Sequence, residues 1–414
     1  MKKLISSNPL LKGSAIVMVG SLAGSALNYL FHFLVGRFLS PAEYGTLMSL
    51  FSILYIVGIP GGILGTTATK FASAYKAKAD FKAVTAALVW VEKTVTVLGL
   101  ALFGLAFIFQ NQLAAFLKIT DPRLPTLFFV FIALSFLGSA PSGFLCGLSR
   151  FKAFSLMSFV GPLFKLLLGA GLAFLGLGVF GVVGGLIISS LLGLACCLIL
   201  LKKNLRRSFK ESTFSQKDLV SYALPTTVVL LALVSLYNVD VILVKHFFSP
   251  EEAGIYSSLA TLGRIIFFGL SSVQLVMFPL ASEKFENGED PLGIFKKSLL
   301  LVGAGAVVGV SSYFLFPQIL VKTFFGSSYL SAVPYLGSFA VFMALYAVVD
   351  LFSRFSLSIR DFRPAAILVV FSLFQILLIC FFHETLSQVI FVNMGVMAGL
   401  LSALGVDRLW LRGR

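Results

Sequence analysis

Three ionisable residues sit where an apolar chain should not carry them: Arg264, Lys165 and Asp240 each lie well inside a long hydrophobic run. Arg264 and Lys165 are each eleven residues into their runs, ~16 Å deep at 1.5 Å per residue. That is close to the middle of a hydrocarbon layer ~30 Å thick. A cation at that depth costs ~2.5 to 3.5 kcal/mol, so each needs a partner or an aqueous cavity. A guanidinium facing a cavity suits phosphate oxygens. Lys165 either lines the same cavity or pairs with Glu92 on the third run. Asp240, with Tyr237 three residues before it on one face, either neutralises Arg264 or carries a proton or Na⁺. Asp350, Gln375 and Asn393 are further oxygen-bearing side chains on the tenth to twelfth runs. Such oxygens suit a hard cation, so with Asp240 they form the expected cation-coupling set.

Milder polar residues extend the pattern. In the first run Ser14, Ser21, Ser25, Asn28 and His32 fall on one helical face, with Gly20 and Gly24 offering a close-packed neighbour face. Ser49, Ser52 and Tyr55 of the second run correspond to Ser258, Thr261 and Arg264 of the eighth. Each triplet runs i, i+3, i+6 along one face. These paired stripes predict a cavity between the two halves, lined by Arg264, Lys165, Asn28, His32, Ser52, Tyr55 and Thr261. Catalytic chemistry finds no such constellation. His32, His246 and His383 are scattered, there is no GxSxG or HExxH, and the four cysteines include no CxxC pair. The sequence predicts no enzyme, no metal site, no disulfide framework and no cofactor beyond a coupling ion, Na⁺ or H⁺.

The elements that must hold these residues are apolar helices. The 414 residues are 58% hydrophobic and only 12% charged, about half the ~25% charge of a soluble domain, with mean hydropathy +1.00. Apolar stretches predict twelve spans, at residues 13–39, 44–71, 84–109, 124–145, 154–175, 177–201, 219–248, 253–281, 295–316, 329–352, 364–382 and 386–406. With the N-terminus in the cytoplasm, 24 of the 32 Lys and Arg fall inside and five outside. This positive-inside bias accounts for the net charge of +15 without nucleic acid. It places both termini in the cytoplasm of a multi-pass protein of the plasma membrane, the bacterial inner membrane. Prolines 60, 141, 162, 225, 279 and 334 can kink spans.

The halves repeat. VGRFLSPAEYG at 35–45 matches VKHFFSPEEAG at 244–254 with an offset of 209, and LFKLLL at 163–168 matches LFQILL at 373–378 with an offset of 210. Arg150 and Arg360 pair at 210. In each Ser-Pro-x-Glu, at Ser40 and Ser249, Ser caps a helix, Pro occupies its first position and Glu closes a capping box. The expected organisation is an all-α membrane protein of twelve transmembrane helices: a six-helix lobe at 1–201, a basic cytoplasmic linker at 202–218 and a second lobe at 219–414. Even span counts put both copies in the same orientation, related by a pseudo-two-fold along the membrane normal.

GRFLSPAEYG at 36–45, TKFASAY at 69–75, Asp240 followed by residues 249–256, and MFPL at 277–280 resemble the oligosaccharide flippases of the multidrug/oligosaccharidyl-lipid/polysaccharide exporter superfamily, the polysaccharide-biosynthesis or O-antigen translocase type. The resemblance covers essentially the whole chain. It implies a transporter that moves a polyprenyl-diphosphate-linked oligosaccharide from the inner to the outer leaflet by alternating access, for cell-surface polysaccharide assembly. It also implies a cationic cavity matching Arg264 and Lys165, and as partners the lipid-linked glycan, membrane lipids and other polysaccharide-assembly membrane proteins. The competing reading within the superfamily is a cation-coupled multidrug exporter.

Overall fold

The computed structural model describes the backbone of residues 9–77, 81–202 and 217–412, and side chains within 16–76, 82–202 and 227–405. The Ser14 side chain, residues 203–216 of the basic linker and most of the predicted cytoplasmic charges near the termini lie outside the described residues. Among the described residues every regular element is helical. In chain order the helices are α1 (Pro9–Phe38), α2 (Pro41–Val57), α3 (Ile59–Ala77), α4 (Phe81–Ile108), α5 (Gln110–Phe116), α6 (Arg123–Gly147), α7 (Phe151–Phe174) and α8 (Gly178–Leu201). They continue as α9 (Lys217–Leu236), α10 (Val239–Phe247), α11 (Pro250–Glu286), α12 (Leu292–Leu315), α13 (Pro317–Phe324), α14 (Val333–Ser358), α15 (Pro364–Phe381) and α16 (Leu386–Arg412).

Ten described helices are long and apolar enough to cross a membrane, and two bent pairs bring the number to twelve. The chain is a multi-pass membrane protein, and its spans follow the predicted ones closely. The second predicted span is broken at Gly58, between α2 and α3. Pro60 explains this break, because its ring displaces the carbonyl four residues back and offers no N–H. The seventh is bent by 44° between α9 and α10 with no proline at the break. There the Asn238 side-chain amide donates to the Val234 carbonyl at 2.7 Å. A side chain competing for a helix carbonyl interrupts the ladder in the way proline does elsewhere.

Two compact units emerge, and they divide the chain differently from the predicted lobes. The first comprises residues 1–39 and 57–216, the second 40–56 and 217–414. Helix α2 therefore packs with the second half of the sequence. Its reason is local: Gly45 and Gly254 let α2 and α11 touch backbone to backbone. A Cβ on Gly45 would stand 2.7 Å from the Gly254 nitrogen, and one on Gly254 would collide with the Pro41 carbonyl. The Tyr44 hydroxyl shares a 2.8 Å hydrogen bond with Thr261. Both helices start with the predicted capping box, Ser40 with Glu43 and Ser249 with Glu252.

In the first unit, α1 packs on α7 through Gly20 and Gly24, whose Cβ atoms would collide with Ser155 and Ser158. In both units a turn after α6 or α14 carries a left-handed non-glycine residue, Ser149 (φ 60°) or Arg360 (φ 56°). The turns thus correspond at an offset of 211, one residue away from the Arg150–Arg360 pairing. Short helices α5 and α13 follow the third and ninth spans, a repeated feature absent from the predicted elements.

Candidate functional site

Arg264 sits on α11 with only 5% of its surface exposed. Its Nη2 donates to the Tyr237 carbonyl at 3.0 Å and to Asn238 Oδ1 at 2.9 Å. The bend that Asn238 creates thereby supplies the acceptors, since a broken ladder leaves a main-chain carbonyl available. The guanidinium carbon lies 5.3 Å from the Tyr237 ring centroid and 5.5 Å from that of Tyr55 on α2, within cation–π range. Tyr237 is itself braced by Tyr346, with ring centroids 4.9 Å apart. Arg264 Nε finds no acceptor among the described residues. Among the described residues all the groups that contact this cation directly are neutral, and its Nε proton is unspent.

Asp240 is fully buried two residues beyond Asn238. Its Oδ2 accepts from the Tyr256 hydroxyl at 2.6 Å and from Asn393 Nδ2 at 3.1 Å, and its Oδ1 accepts from the Val241 amide at 2.9 Å. Gln375 Nε2 in turn donates to Asn393 Oδ1 at 2.7 Å and to the Leu236 carbonyl at 3.0 Å, while its Oε1 has no partner among the described residues. Asp240, Gln375 and Asn393 are thus one buried, oxygen-rich network on α10, α15 and α16. Asp350 stands outside it, its Oδ2 accepting from Arg354 Nε at 2.8 Å one turn along α14. No ion pair joins Asp240 to Arg264 among the described residues.

The first unit carries the other cation expected deep in a span, Lys165. Pro162 precedes a π-helical turn at Lys165–Ala170, a distortion that recurs at functional positions. Lys165 Nζ donates to Asn28 Oδ1 at 3.1 Å and lies 4.3 Å from the Phe31 ring centroid. Among the described residues it forms no ion pair with Glu92, whose Oε1 is buried there without a hydrogen-bond partner. Lys165 and Asn28 line a cavity of about 330 Å³ within this unit. The remaining expected lining residues are placed as follows. Tyr55 faces Arg264, Ser52 is buried with its hydroxyl unpartnered among the described residues, Thr261 is engaged by Tyr44, and His32 is buried with its ring against Phe31. No group of three or more His, Cys, Asp and Glu that could hold a metal ion occurs among the described residues.

A family model described as polysaccharide biosynthesis protein matches residues 10–285, more than half of the chain. The chain belongs to that family. No curated protein matches it by sequence. Its fold is that of solved membrane transporters. An inward-facing multidrug resistance MATE family transporter of the MOP superfamily aligns with a TM-score of 0.75 at 14% identity, over 95% of this chain and 98% of the other. An outward-facing one aligns at 0.69 and 15%, over 100% and 97%. A MOP superfamily transporter from Pyrococcus furiosus, described as having a binding pocket of reverse polarity that suggests a different function, aligns at 0.70 and 15%, over 100% and 97%.

Two residues that build the site, Asn238 and Tyr256, are not among those the sequence singles out as lining or coupling residues. Asn238 makes the bend and holds Arg264, and its only signal was an amide inside an apolar run. Tyr256 donates to Asp240 from sixteen residues away, and nothing in the spacing marks it, because the intervening turn reverses the chain between α10 and α11.

Proposed function

We propose that this protein is a flippase that moves a polyprenyl-diphosphate-linked oligosaccharide from the cytoplasmic to the outer leaflet of the plasma membrane by alternating access, for assembly of a cell-surface polysaccharide. The observation that carries the reading is Arg264, a buried guanidinium held by a main-chain carbonyl, an amide oxygen and two aromatic faces. A cation held by neutral groups, with no ion pair to a carboxylate among the described residues, attracts an anion and repels a cationic drug. Diphosphate fits, because guanidinium protons match phosphate oxygens. Export of its roughly two negative charges is downhill by ~2.3 kcal/mol per charge per 100 mV of inside-negative potential. The family match agrees with a role in polysaccharide assembly.

A second reading, a cation-coupled multidrug exporter, is favoured by the likeness to the multidrug transporters. The two readings share the Asp240 network, which offers Asp240, Gln375 and Asn393 oxygens to Na⁺ or H⁺, and they differ over Arg264. Purified protein in liposomes decides between them. The flippase moves a fluorescent lipid-linked oligosaccharide to the leaflet where an impermeant quencher reaches it and ignores a cationic dye. Dye transport without lipid movement would reverse the assignment.

A further inference from the structure

Two of the polar stripes expected to line a cavity are in contact with each other instead. On α2 the stripe is Gly45, Ser49, Ser52 and Tyr55, and on α11 it is Gly254, Ser258, Thr261 and Arg264. Both run i, i+4, i+7, i+10 along one side of a helix. Each residue of one stripe is the repeat equivalent of its counterpart, 209 positions away. Gly45 meets its own equivalent, Gly254, as residues on a two-fold axis do. Ser49, Ser52, Ser258 and Thr261 are all buried. Tyr44 bonds to Thr261, and Tyr55 lies over Arg264. From Gly254 to Arg264 the seam runs ~15 Å at 1.5 Å per residue.

We infer that α2 is a lid over Arg264, seated on α11 in this structure and lifted from it during transport. The chemistry of the seam suits release. Ser49, Ser258 and Thr261 donate to carbonyls of their own helices, those of Thr46, Ile255 and Ser257. Hydroxyls satisfied within one helix keep their bonds when water enters, so opening orphans none of these donors. Ser52 Oγ and Arg264 Nε have no partner among the described residues, and water supplies one. Wetting apolar side chains costs ~25 cal/mol per Å², whereas a face of glycine and hydroxyl has little apolar area to lose. Each helix also starts with its own capping box, so neither needs the other at its terminus. Tyr44, with ring centroids 5.3 Å from Phe325 and 6.1 Å from Tyr329, holds the seat at its N-terminal end.

Connectivity supplies the pull. Helix α2 belongs to the second unit, yet its chain neighbours at residues 39 and 57 belong to the first. Movement of those neighbours draws α2 off its seat, with the 47° break at Gly58 and the bend at Leu39 as hinges. Lifting removes Tyr55 from the guanidinium and bares Arg264 toward the end that the positive-inside bias puts outside. The lid rests on the reading of Arg264 as the substrate's site.

The test bridges the seam. Full-length protein with its four cysteines replaced by alanine carries Ser49→Cys and Ser258→Cys, and a short bifunctional methanethiosulfonate joins them. The control bridge joins Lys284→Cys to Glu289→Cys, whose native side chains meet at 3.0 Å away from the seam. The seam bridge should form, abolish transport of lipid-linked oligosaccharide in proportion to the bridged fraction and release it on reduction. The control bridge should leave transport unchanged. Full transport through a bridged seam, equal loss from the control bridge, or failure of the seam pair to join overturns the lid. Should the unbridged protein move a cationic dye and no lipid, the flippase reading fails and the lid is judged by the same criteria on the dye. Should neither move, a lone Ser52→Cys decides: reaction with an impermeant thiol reagent from outside sealed cells keeps the lid, and none overturns it. If the cysteine-replaced background does not fold, the native one serves, because none of the four cysteines lies on α2 or α11 and the bridged peptides are identified by mass.

Discussion

Replacing Arg264 with alanine separates holding the helix bend from moving the substrate. The side chain makes two charge-assisted hydrogen bonds, at 3.0 and 2.9 Å, each worth ~1.5 to 3 kcal/mol, and two cation–π contacts of about 0.5 to 1 kcal/mol each. The losses sum to ~4 to 8 kcal/mol. Against them, the substitution removes a cation that costs ~2.5 to 3.5 kcal/mol at this depth. Water entering the vacated space can reach the Tyr237 carbonyl and the Asn238 oxygen. The net destabilisation is therefore on the order of 1 to 4 kcal/mol, which leaves a folded protein with a lowered melting temperature. Transport loses more in relative terms. Removing ~3 kcal/mol of charged contact to the diphosphate slows lipid movement roughly a hundredfold, at 1.4 kcal/mol per tenfold. Arg264→Lys keeps the charge but cannot present a planar set of donors, so it should fall between alanine and wild type. The assay is initial-rate flipping of lipid-linked oligosaccharide in liposomes, with protein amount normalised by folded fraction. Wild-type flipping by Arg264→Ala would refute the site.

Three further outcomes are expected. Gly254→Ala drives a methyl group into the Pro41 carbonyl and should cost at least the ~1 to 3 kcal/mol typical of overpacking, seen as a lower melting temperature, whereas alanine at Gly62, with open space around it, should be nearly neutral. Asp240→Asn preserves shape and hydrogen-bond capacity, so the fold should survive while the dependence of transport on the Na⁺ or proton gradient disappears; unchanged dependence would make Asp240 a structural residue. Cysteines placed at Asn111 or Lys322 in a cysteine-free background should react from outside intact cells with a membrane-impermeant reagent, and one at Asn204 should not; reaction at Asn204 would invert the topology.

Hydropathy made the spans legible because burial in lipid demands apolar side chains along the whole length of a helix. Counting residues gave expected depths for Arg264 and Lys165, and the repeat located the two capping boxes. What counting could not reach was direction. Lys165 bonds to Asn28, not to Glu92, and a π-helical turn begins at Lys165, whereas periodicity assumes an unbroken helix. Asp240 joins Gln375 and Asn393 but not Asp350, a convergence set by how α10, α15 and α16 pack. The affiliation of α2 with the second half was invisible because contiguity in sequence suggested otherwise. Gly45 and Gly254 were present in the repeated motif, but a glycine alone does not say which backbone it meets.

That affiliation bears on how the molecule could have been assembled from halves. The chain passes between the units at residues 39 to 40, again at 56 to 57 and once more in the basic segment before residue 217. Cutting the gene at the linker would not yield two self-sufficient pieces. A fragment beginning at residue 217 would lack the helix that covers Gly254 and satisfies Thr261 through Tyr44, and the fragment before it would carry that helix with nothing to cover.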